Sequence, residues 1–477
     1  MSISRPPQSL PPEVLRALHA IAGVDSLLTD PADCWAYGYD NSRRHALPQA
    51  VVFLTTQEQV AAVTHLCNER GIALTARGRG TGTTGATVPD HGGVVLSFER
   101  MARIIRIEPD DRLAVVEPGV TNEALQQAAA AHGFFWPPDP SSAAVCTIGG
   151  NLAYNAAGPR AVKYGTPREN TLGLKAVTGA GAAIRTGVLT TKGVVGYDLT
   201  RLLIGSEGTL ALITEATLKL TPLPEAKRTL RLTYSDIHAA ATAVSAIMAQ
   251  PATPCALEFM DAAAIATVRR YSDLPVPDDT GALLMVEVDG PASCVEEAAQ
   301  TIAHAASVRG IREVRTAADA AEVTALWKTR KALSPALRHI APKKINEDVV
   351  VPVSCLAHFI EGLERLSREM GIRIVNFGHA GNGNIHVNLL VDPGNADELA
   401  RAARCLEAVF SLVIELGGTL SGEHGVGLEK RDFIAREIDP AALRLMWDIK
   451  RQFDPNGILN PGKSLPRPDQ PTEAHVL

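Results

Sequence analysis

The chain has 477 residues, room for about three folding units at ~150 residues each or for two large α/β units. Hydrophobic residues make up 46% and charged residues 21%, which excludes a disordered, fibrous or collagen-like chain. The net charge of −6 lacks the basic excess of a nucleic-acid binder, so no nucleic-acid partner is expected.

Residues 1–45 read as a helical lead-in, with Val14, Leu15, Leu18 and Ile21 at helical spacing. Residues 46–224 form the next unit. Ala50 to Leu54 reads as strand, Gln57 to Glu69 as helix, and Ala73 to Ala76 as a strand running into glycine. Strands follow at Gly93 to Phe98, Ile104 to Glu108 and Leu113 to Glu117, then a helix from Asn122 to His132. Leu174 to Thr190 and Leu210 to Leu220 read as further strand, and Pro222 and Pro224 punctuate the end. The texture then changes over 225–420 to strands and helices alternating around one core: strand at Thr229 to Tyr234, Cys255 to Phe259, Ala282 to Val288 and Ile311 to Val314, helix at Asp236 to Ala249, Ala262 to Tyr271 and Ser293 to Arg309. That alternation predicts a ferredoxin-like α+β layer. Helices at Asp319 to Arg338, Ser354 to Met370 and Asp397 to Glu415 are interleaved with strands at Val349 to Val353, Ile372 to Phe377 and Ile385 to Val391. A C-terminal segment spans 421–465, and 466–477 reads as a flexible, proline-rich tail.

Three Gly-rich turns stand out in the first half. Four glycines lie in Gly78-Arg79-Gly80-Thr81-Gly82-Thr83-Thr84-Gly85. Such a loop permits positive φ and close backbone approach, and its successive N–H groups can cradle a diphosphate. A plain tight turn is the competing reading. It is not a Walker A, and no helix follows it, which disfavours the nicotinamide fingerprint. The second segment is Pro138-Asp139-Pro140-Ser141-Ser142 followed by Thr147 to Gly158, rich in Gly, Asn and Ala. Small residues there would let the chain lie against a planar ring. The third is Gly205-Ser206-Glu207-Gly208-Thr209-Leu210. Together these turns resemble the FAD-binding domain of the vanillyl-alcohol oxidase/p-cresol methylhydroxylase superfamily, from Pro48 to Pro224. The resemblance implies FAD beside Arg77, Gly78, Arg79, Gly80, Thr81, Gly82, Thr83, Pro138, Ser142, Thr147, Gly149, Gly150, Asn151, Ala157, Gly158, Gly208 and Ile213. Some members attach FAD through a His or Cys. No histidine lies in the first loop, so non-covalent FAD is expected.

A second constellation lies far along the chain. Phe377-Gly378-His379-Ala380-Gly381-Asn382-Gly383-Asn384-Ile385-His386 is followed by Ser421-Gly422-Glu423-His424-Gly425. Two histidines separated by a Gly/Asn turn can converge, and Glu423 adds a carboxylate. Two imidazoles and a carboxylate suit a divalent ion with an open position, zinc or manganese. The competing reading is hydrogen-bonded core histidines. His424 is a credible general base, since an imidazole titrates near neutral pH.

These residues, with Asp454-Pro455-Asn456-Gly457-Ile458-Leu459-Asn460-Pro461-Gly462-Lys463, resemble the FAD-linked D-2-hydroxy-acid dehydrogenases. That group includes D-lactate dehydrogenase, the flavin subunit of glycolate oxidase and D-2-hydroxyglutarate dehydrogenase. The resemblance implies an α+β fold: a two-part FAD-binding domain (46–224), a ferredoxin-like cap or substrate domain with the metal site (225–420), and a helical C-terminal segment returning to the flavin (421–465). It implies His379, His386 and Glu423 as metal ligands, zinc first and manganese second, with His424 as base. Asn384 and the Asn460 to Lys463 segment are implied near the flavin.

The reaction this implies is oxidation of a D-2-hydroxy acid to the 2-oxo acid, with hydride passing to flavin N5. Arg330 is assigned to the substrate carboxylate, the competing reading being a surface charge on an amphipathic helix. Ser334 stands where a distal-carboxylate hydroxyl is needed, but the matching lysine position falls on Asn346. Lys343 and Lys344 are close in a different register. D-lactate is therefore preferred over D-2-hydroxyglutarate; a flavin subunit of a multi-subunit glycolate oxidase is the other alternative. An aryl-alcohol or sugar oxidase of the superfamily would not need the metal site.

No second redox cofactor motif is visible, so the acceptor is expected to be external: quinone, cytochrome, electron-transfer flavoprotein or an iron–sulfur subunit. A homodimer through the cap is expected. Seven cysteines without a C-x-x-C, no long apolar run and no apolar stretch in Met1 to Pro12 point to a cytoplasmic protein. Peripheral association at the inner membrane face would follow from a quinone acceptor.

Overall fold

The computed structural model of the chain describes residues 9–270 and 276–466. Tyr271 of the expected helix and the tail beyond Pro466 lie outside them. Backbone contacts divide the chain into one unit of Met1–Ala157, Gly165–Leu223 and Glu423–Leu477 and a second of Gly158–Tyr164 and Pro224–Gly422.

In the first unit, helix α1 (Pro12–Ala22) starts on a proline, whose missing N–H costs nothing at a helix N-terminus. It buries Val14, Leu18 and Ala22 against strands β1 (Leu27–Leu28), β2 (Ala50–Phe53), β3 (Leu74–Arg77) and β4 (Val94–Ser97). Each fully buried aliphatic side chain there contributes about 1.5–3 kcal/mol, so the lead-in is part of the core. The sheet order is β1-β2-β4-β3, with β2 and β3 parallel to β4. Helix α2 (Gln57–Arg70) carries a reciprocal N-terminal cap: Thr56 Oγ1 accepts from Gln59 N, and Gln59 Oε1 accepts from Thr55 N. It ends at Gly71, at φ 62°.

A second, antiparallel sheet holds β5 (Ile104–Glu108), β6 (Leu113–Val116), β7 (Thr171–Thr178), β8 (Ala183–Gly187) and β9 (Ala211–Lys219), in the order β5-β6-β9-β7-β8. The stretch read as strand from Leu174 to Thr190 is thus a hairpin, reversed at Gly181 with φ 81°. Helix α3 (Asn122–Ala130) and helix α4 (Ile148–Tyr154) share its core through Leu125, Ile148 and Leu152. Thr147 to Gly158 reads in sequence as a Gly-rich turn, and Ile148–Tyr154 within it instead forms α4. Thr147 Oγ1 accepts the Gly150 N–H at 3.2 Å, and burial of Ile148 and Leu152 offsets two helical glycines at about 1 kcal/mol each.

The second unit is built on seven antiparallel strands: β10 (Ala226–Tyr234), β11 (Ala256–Asp261), β12 (Ala282–Gly290), β13 (Ile311–Thr316), β14 (Lys343–Val350), β15 (Arg373–His379) and β16 (Asn384–Val391), in the order β13-β10-β12-β11-β15-β16-β14. Helices α5 (Ile237–Met248), α6 (Ala262–Val268), α7 (Val295–Ala306), α8 (Ala320–Ala336), α9 (Leu356–Met370) and α10 (Ala396–Glu415) pack on it. Strand β14 begins at Lys343, six residues before the apolar run that announced it. Its charged first half is held by full-length pairing with β16, Lys344 opposite Leu390 and Asp348 opposite His386.

The chain then re-enters the first unit. Helix α11 (Pro440–Phe453) is capped by Asp439, which accepts the N–H groups of Ala441 and Ala442. Beyond it, Ile458 O accepts from Leu74 N at 2.8 Å and Asn460 N donates to Leu74 O at 2.7 Å. The Asn-Gly-Ile-Leu-Asn segment so extends the edge of β3, and Ile458 and Leu459 join the core of α1.

Candidate active site

Strand β3 delivers the chain into the loop at 78–85, at the carboxyl end of a parallel strand, where open α/β sheets place their ligands. Among the described residues, none accepts a hydrogen bond from the peptide N–H groups of 78–84; the first N–H used is that of Gly85, donated to Asp40 Oδ2 at 3.0 Å. A run of unspent amides is an anion nest suited to a diphosphate. Beside it a cavity, partly open to solvent, is lined by Gly78, Thr147, Gly149, Gly150, Gly208, Ile213, Asn460, Tyr154 and Glu207, among others. Added bulk has no room at the first loop: a Cβ on Gly78 would lie 2.5 Å from Thr147 Oγ1, and one on Gly82 2.6 Å from the Tyr154 hydroxyl. These features fit FAD.

Three segments meet around Glu207, which sits at φ 51°. Its carboxylate accepts the N–H groups of Val426 (2.5 Å) and Gly427 (2.8 Å) and the Ser464 hydroxyl (2.5 Å). Burial pushes its pKa up, and those three donors oppose the shift. Asn460 Nδ2 donates to Glu207 O and Ala86 O, and Lys463 Nζ reaches Asn460 Oδ1 at 2.9 Å and Asp90 at 3.1 Å. His424 O accepts from Thr84 Oγ1 at 3.3 Å, which fixes the backbone of the expected base to the end of the first loop.

In the second unit, sheet register gathers the other polar groups. Glu258 on β11 lies opposite His379 on β15, His379 opposite Asn384 on β16, and His386 opposite both Phe377 and Asp348. The two imidazole rings stand 5.2 Å apart, edge to face. Asp348 is buried and accepts the Gly422 N–H at Oδ2, 2.9 Å away. Gly422 closes this unit, and Glu423 follows it by one peptide bond. One ligand atom from each of His379, His386 and Glu423 lies within 4.8 Å of the others. Two imidazoles and a carboxylate at that spacing could hold a divalent ion.

The remaining expected residues divide. Arg330, 8% exposed, is no surface charge: its Nε donates to Glu258 Oε2 at 2.6 Å and it stacks on Phe377. Ser334 and Lys344 meet, Lys344 Nζ donating to Ser334 Oγ at 2.6 Å, although Lys344 stands two positions before Asn346, the position matched to the lysine. Asn384 is buried and donates to Val349 O. Others brace the fold. Arg77 lines the cavity and also turns under the loop to donate to the carbonyls of Tyr39 and Ala36, while exposed Arg79 reaches Glu99. Asn151 and Pro138 bond Asn122, Ser142 anchors a turn through its carbonyl, and Ala157 accepts from Asp139 just before Gly158. Gly80, Thr81 and Thr83 belong to the amide run.

Sequence reasoning missed Glu258. It holds His379 Nδ1 at 2.5 Å and Arg330 at once. Burial would raise its pKa, but the neighbouring His379 and Arg330 outweigh that and keep it below the usual carboxylate range. The available signal was a lone carboxylate inside the apolar run Ala256-Leu257-Glu258-Phe259-Met260, since charged residues are seldom fully buried without a partner.

Comparison with known proteins agrees with this geometry. Residues 48–187 match the FAD binding domain model and residues 223–464 the C-terminal domain of FAD linked oxidases. A glycolate oxidase subunit, GlcD, of Bacillus subtilis (strain 168) is 37% identical, covering 94% of this chain and 96% of its own. A D-2-hydroxyglutarate dehydrogenase of Stutzerimonas stutzeri (strain A1501) is 34% identical, covering 95% and 98%, and a D-lactate dehydrogenase of Anaerostipes hadrus 34%, covering 88% and 90%. The solved structure of p-cresol methylhydroxylase shares the fold at a TM-score of 0.77, with 20% identity over 97% of this chain and 98% of that one. The chain belongs to the FAD-linked oxidase family, shares its fold with p-cresol methylhydroxylase, and is an FAD-dependent oxidoreductase.

Proposed function

We propose that the protein is a dehydrogenase that oxidises a D-2-hydroxy acid, D-lactate first, to the 2-oxo acid. The observation that carries this reading is the His379–His386–Glu423 group, which an alcohol oxidase of the same fold would not need. Relatives at 34–37% identity named for glycolate, D-lactate and D-2-hydroxyglutarate share a 2-hydroxy acid. Bound FAD supplies the two-electron acceptor, and a divalent ion supplies the Lewis acid that makes the substrate hydroxyl more acidic.

The chain's own groups do the rest. The amides of 78–84 hold the diphosphate. His424 takes the hydroxyl proton on an imidazole nitrogen. Among the described residues, none accepts a hydrogen bond from either Nη of Arg330, which leaves a forked edge for the substrate carboxylate. Electrons leave to an external quinone, cytochrome, electron-transfer flavoprotein or iron–sulfur subunit, and the working form is a homodimer.

The Lys344–Ser334 contact favours a second reading. An ammonium and a hydroxyl held together suit a distal carboxylate, as in D-2-hydroxyglutarate. The metal assignment is tested by Glu423→Ala with elemental analysis: bound zinc or manganese per chain is expected to fall sharply, and unchanged metal would remove Glu423 from the ligand set.

A further inference from the structure

Glu258 presents two oxygens to two different functional groups. Oε1 meets His379 Nδ1 at 2.5 Å, and Oε2 receives the Arg330 Nε–H at 2.6 Å. The carboxylate is 1% exposed, so water does not compete for it. Its place is fixed by strand register, because Glu258 and His379 are direct partners on β11 and β15. Arg330 comes from α8, where Leu326 and Leu333 bury the same face against that sheet. Phe377 backs the guanidinium, with Cζ 4.8 Å from the ring centroid.

We propose that Glu258 is a bidentate positioning residue that orients a metal ligand and the substrate-binding arginine together. With Nδ1 of His379 bonded to a carboxylate, the ring is held as the Nδ1–H tautomer and presents Nε2 as the ligand nitrogen. A carboxylate behind a ligating imidazole also strengthens it as a donor. With Nε of Arg330 spent on the same carboxylate, the guanidinium cannot rotate, and its two Nη atoms form the edge offered to substrate. One carboxylate thus sets both groups in one geometry. The inference rests on the metal site and substrate class proposed above and adds to them the residue that aligns the two.

The test uses full-length, FAD-loaded protein stripped of metal and titrated with Zn2+ against a competing chelator, then assayed with D-lactate after metal saturation. Glu258→Gln is expected to weaken Zn2+ binding roughly 10–100-fold and to raise KM once saturated. Arg330→Met is expected to leave Zn2+ affinity within a few fold while raising KM. Wild-type Zn2+ affinity retained in Glu258→Gln overturns the inference. Failure of the wild-type protein to bind Zn2+ at all instead overturns the metal reading beneath it. Should Glu258→Gln fail to fold, ¹⁵N-histidine chemical shifts of the metal-free wild-type protein, with His379→Gln for assignment, decide the matter: an Nδ1–H tautomer at His379 supports the inference and an Nε2–H tautomer overturns it.

Discussion

Lys450 and Arg451 are neighbours on α11 that should respond oppositely to removal. Lys450 Nζ is buried, pairs with Asp454, and donates to Thr209 O at 2.6 Å and Leu459 O at 2.8 Å. It therefore ties the return helix to the third Gly-rich turn and to the segment that extends β3. Lys450→Met leaves the Asp454 carboxylate buried without its cation and orphans two carbonyls. Breaking such a pair costs ~3–5 kcal/mol. Asp454 keeps the N–H groups of Ile458 (3.0 Å) and Leu459 (2.8 Å), which favours the lower end. About 3 kcal/mol, at ~1–2 °C per kcal/mol for units of this size, gives a Tm drop of roughly 3–6 °C. Arg451→Ala breaks only the Arg451–Asp448 pair, whose side chains are 61% and 57% exposed, and should move Tm by no more than ~1–2 °C. Differential scanning fluorimetry at matched FAD loading compares the two. Equal shifts would refute the argument that this buried cation holds the C-terminal segment on the first unit.

Other consequences follow from the same geometry. Gly78→Ala forces a Cβ to within 2.5 Å of Thr147 Oγ1, displacing the cap of α4 beside the cavity; FAD retained through desalting should fall at least ~10-fold, and full retention would argue against this loop as the diphosphate cradle. Burial pushes the Asp261 carboxyl up to about 7. The folded chain then binds this proton more tightly than the unfolded chain, whose aspartate titrates near ~3.9. Stability from this group is therefore full below about pH 4 and declines as pH rises to about 7, by at most on the order of 4 kcal/mol. Urea unfolding across that window should show a shallower decline for Asp261→Asn, and identical slopes would mean that Asp261 does not hold the proton.

The first half of the fold was legible because its signals are local. Gly78 to Gly85 and Gly205 to Leu210 announce turns that need positive φ, and the apolar strands around them alternate or run at the expected lengths. Helix α4 was hidden because Gly149 and Gly150 read as loop, although Thr147 three residues before Gly150 was a cap in plain view. Strand β14 was half hidden because Lys343, Lys344, Glu347 and Asp348 carry no apolar pattern; pairing with β16 decides it, and pairing is non-local. The same applies to the site. His379, His386 and Glu423 were legible as ligand chemistry flanked by glycine. Glu258 lies more than a hundred residues before His379 in sequence and becomes its partner only through the order of β11 and β15. Lys344 reaches Ser334 across a turn that no counting from Pro352 could have supplied.

The most direct test of the proposed function is anaerobic flavin bleaching. Purified, metal-replete protein is mixed in turn with D-lactate, L-lactate, D-2-hydroxyglutarate and glycolate while absorbance is followed near ~450 nm, the oxidised flavin band. Loss of that band with a D-2-hydroxy acid, D-lactate foremost, and none with L-lactate is the predicted result. A yellow protein whose band survives every one of these acids would contradict the assignment of a D-2-hydroxy acid as substrate.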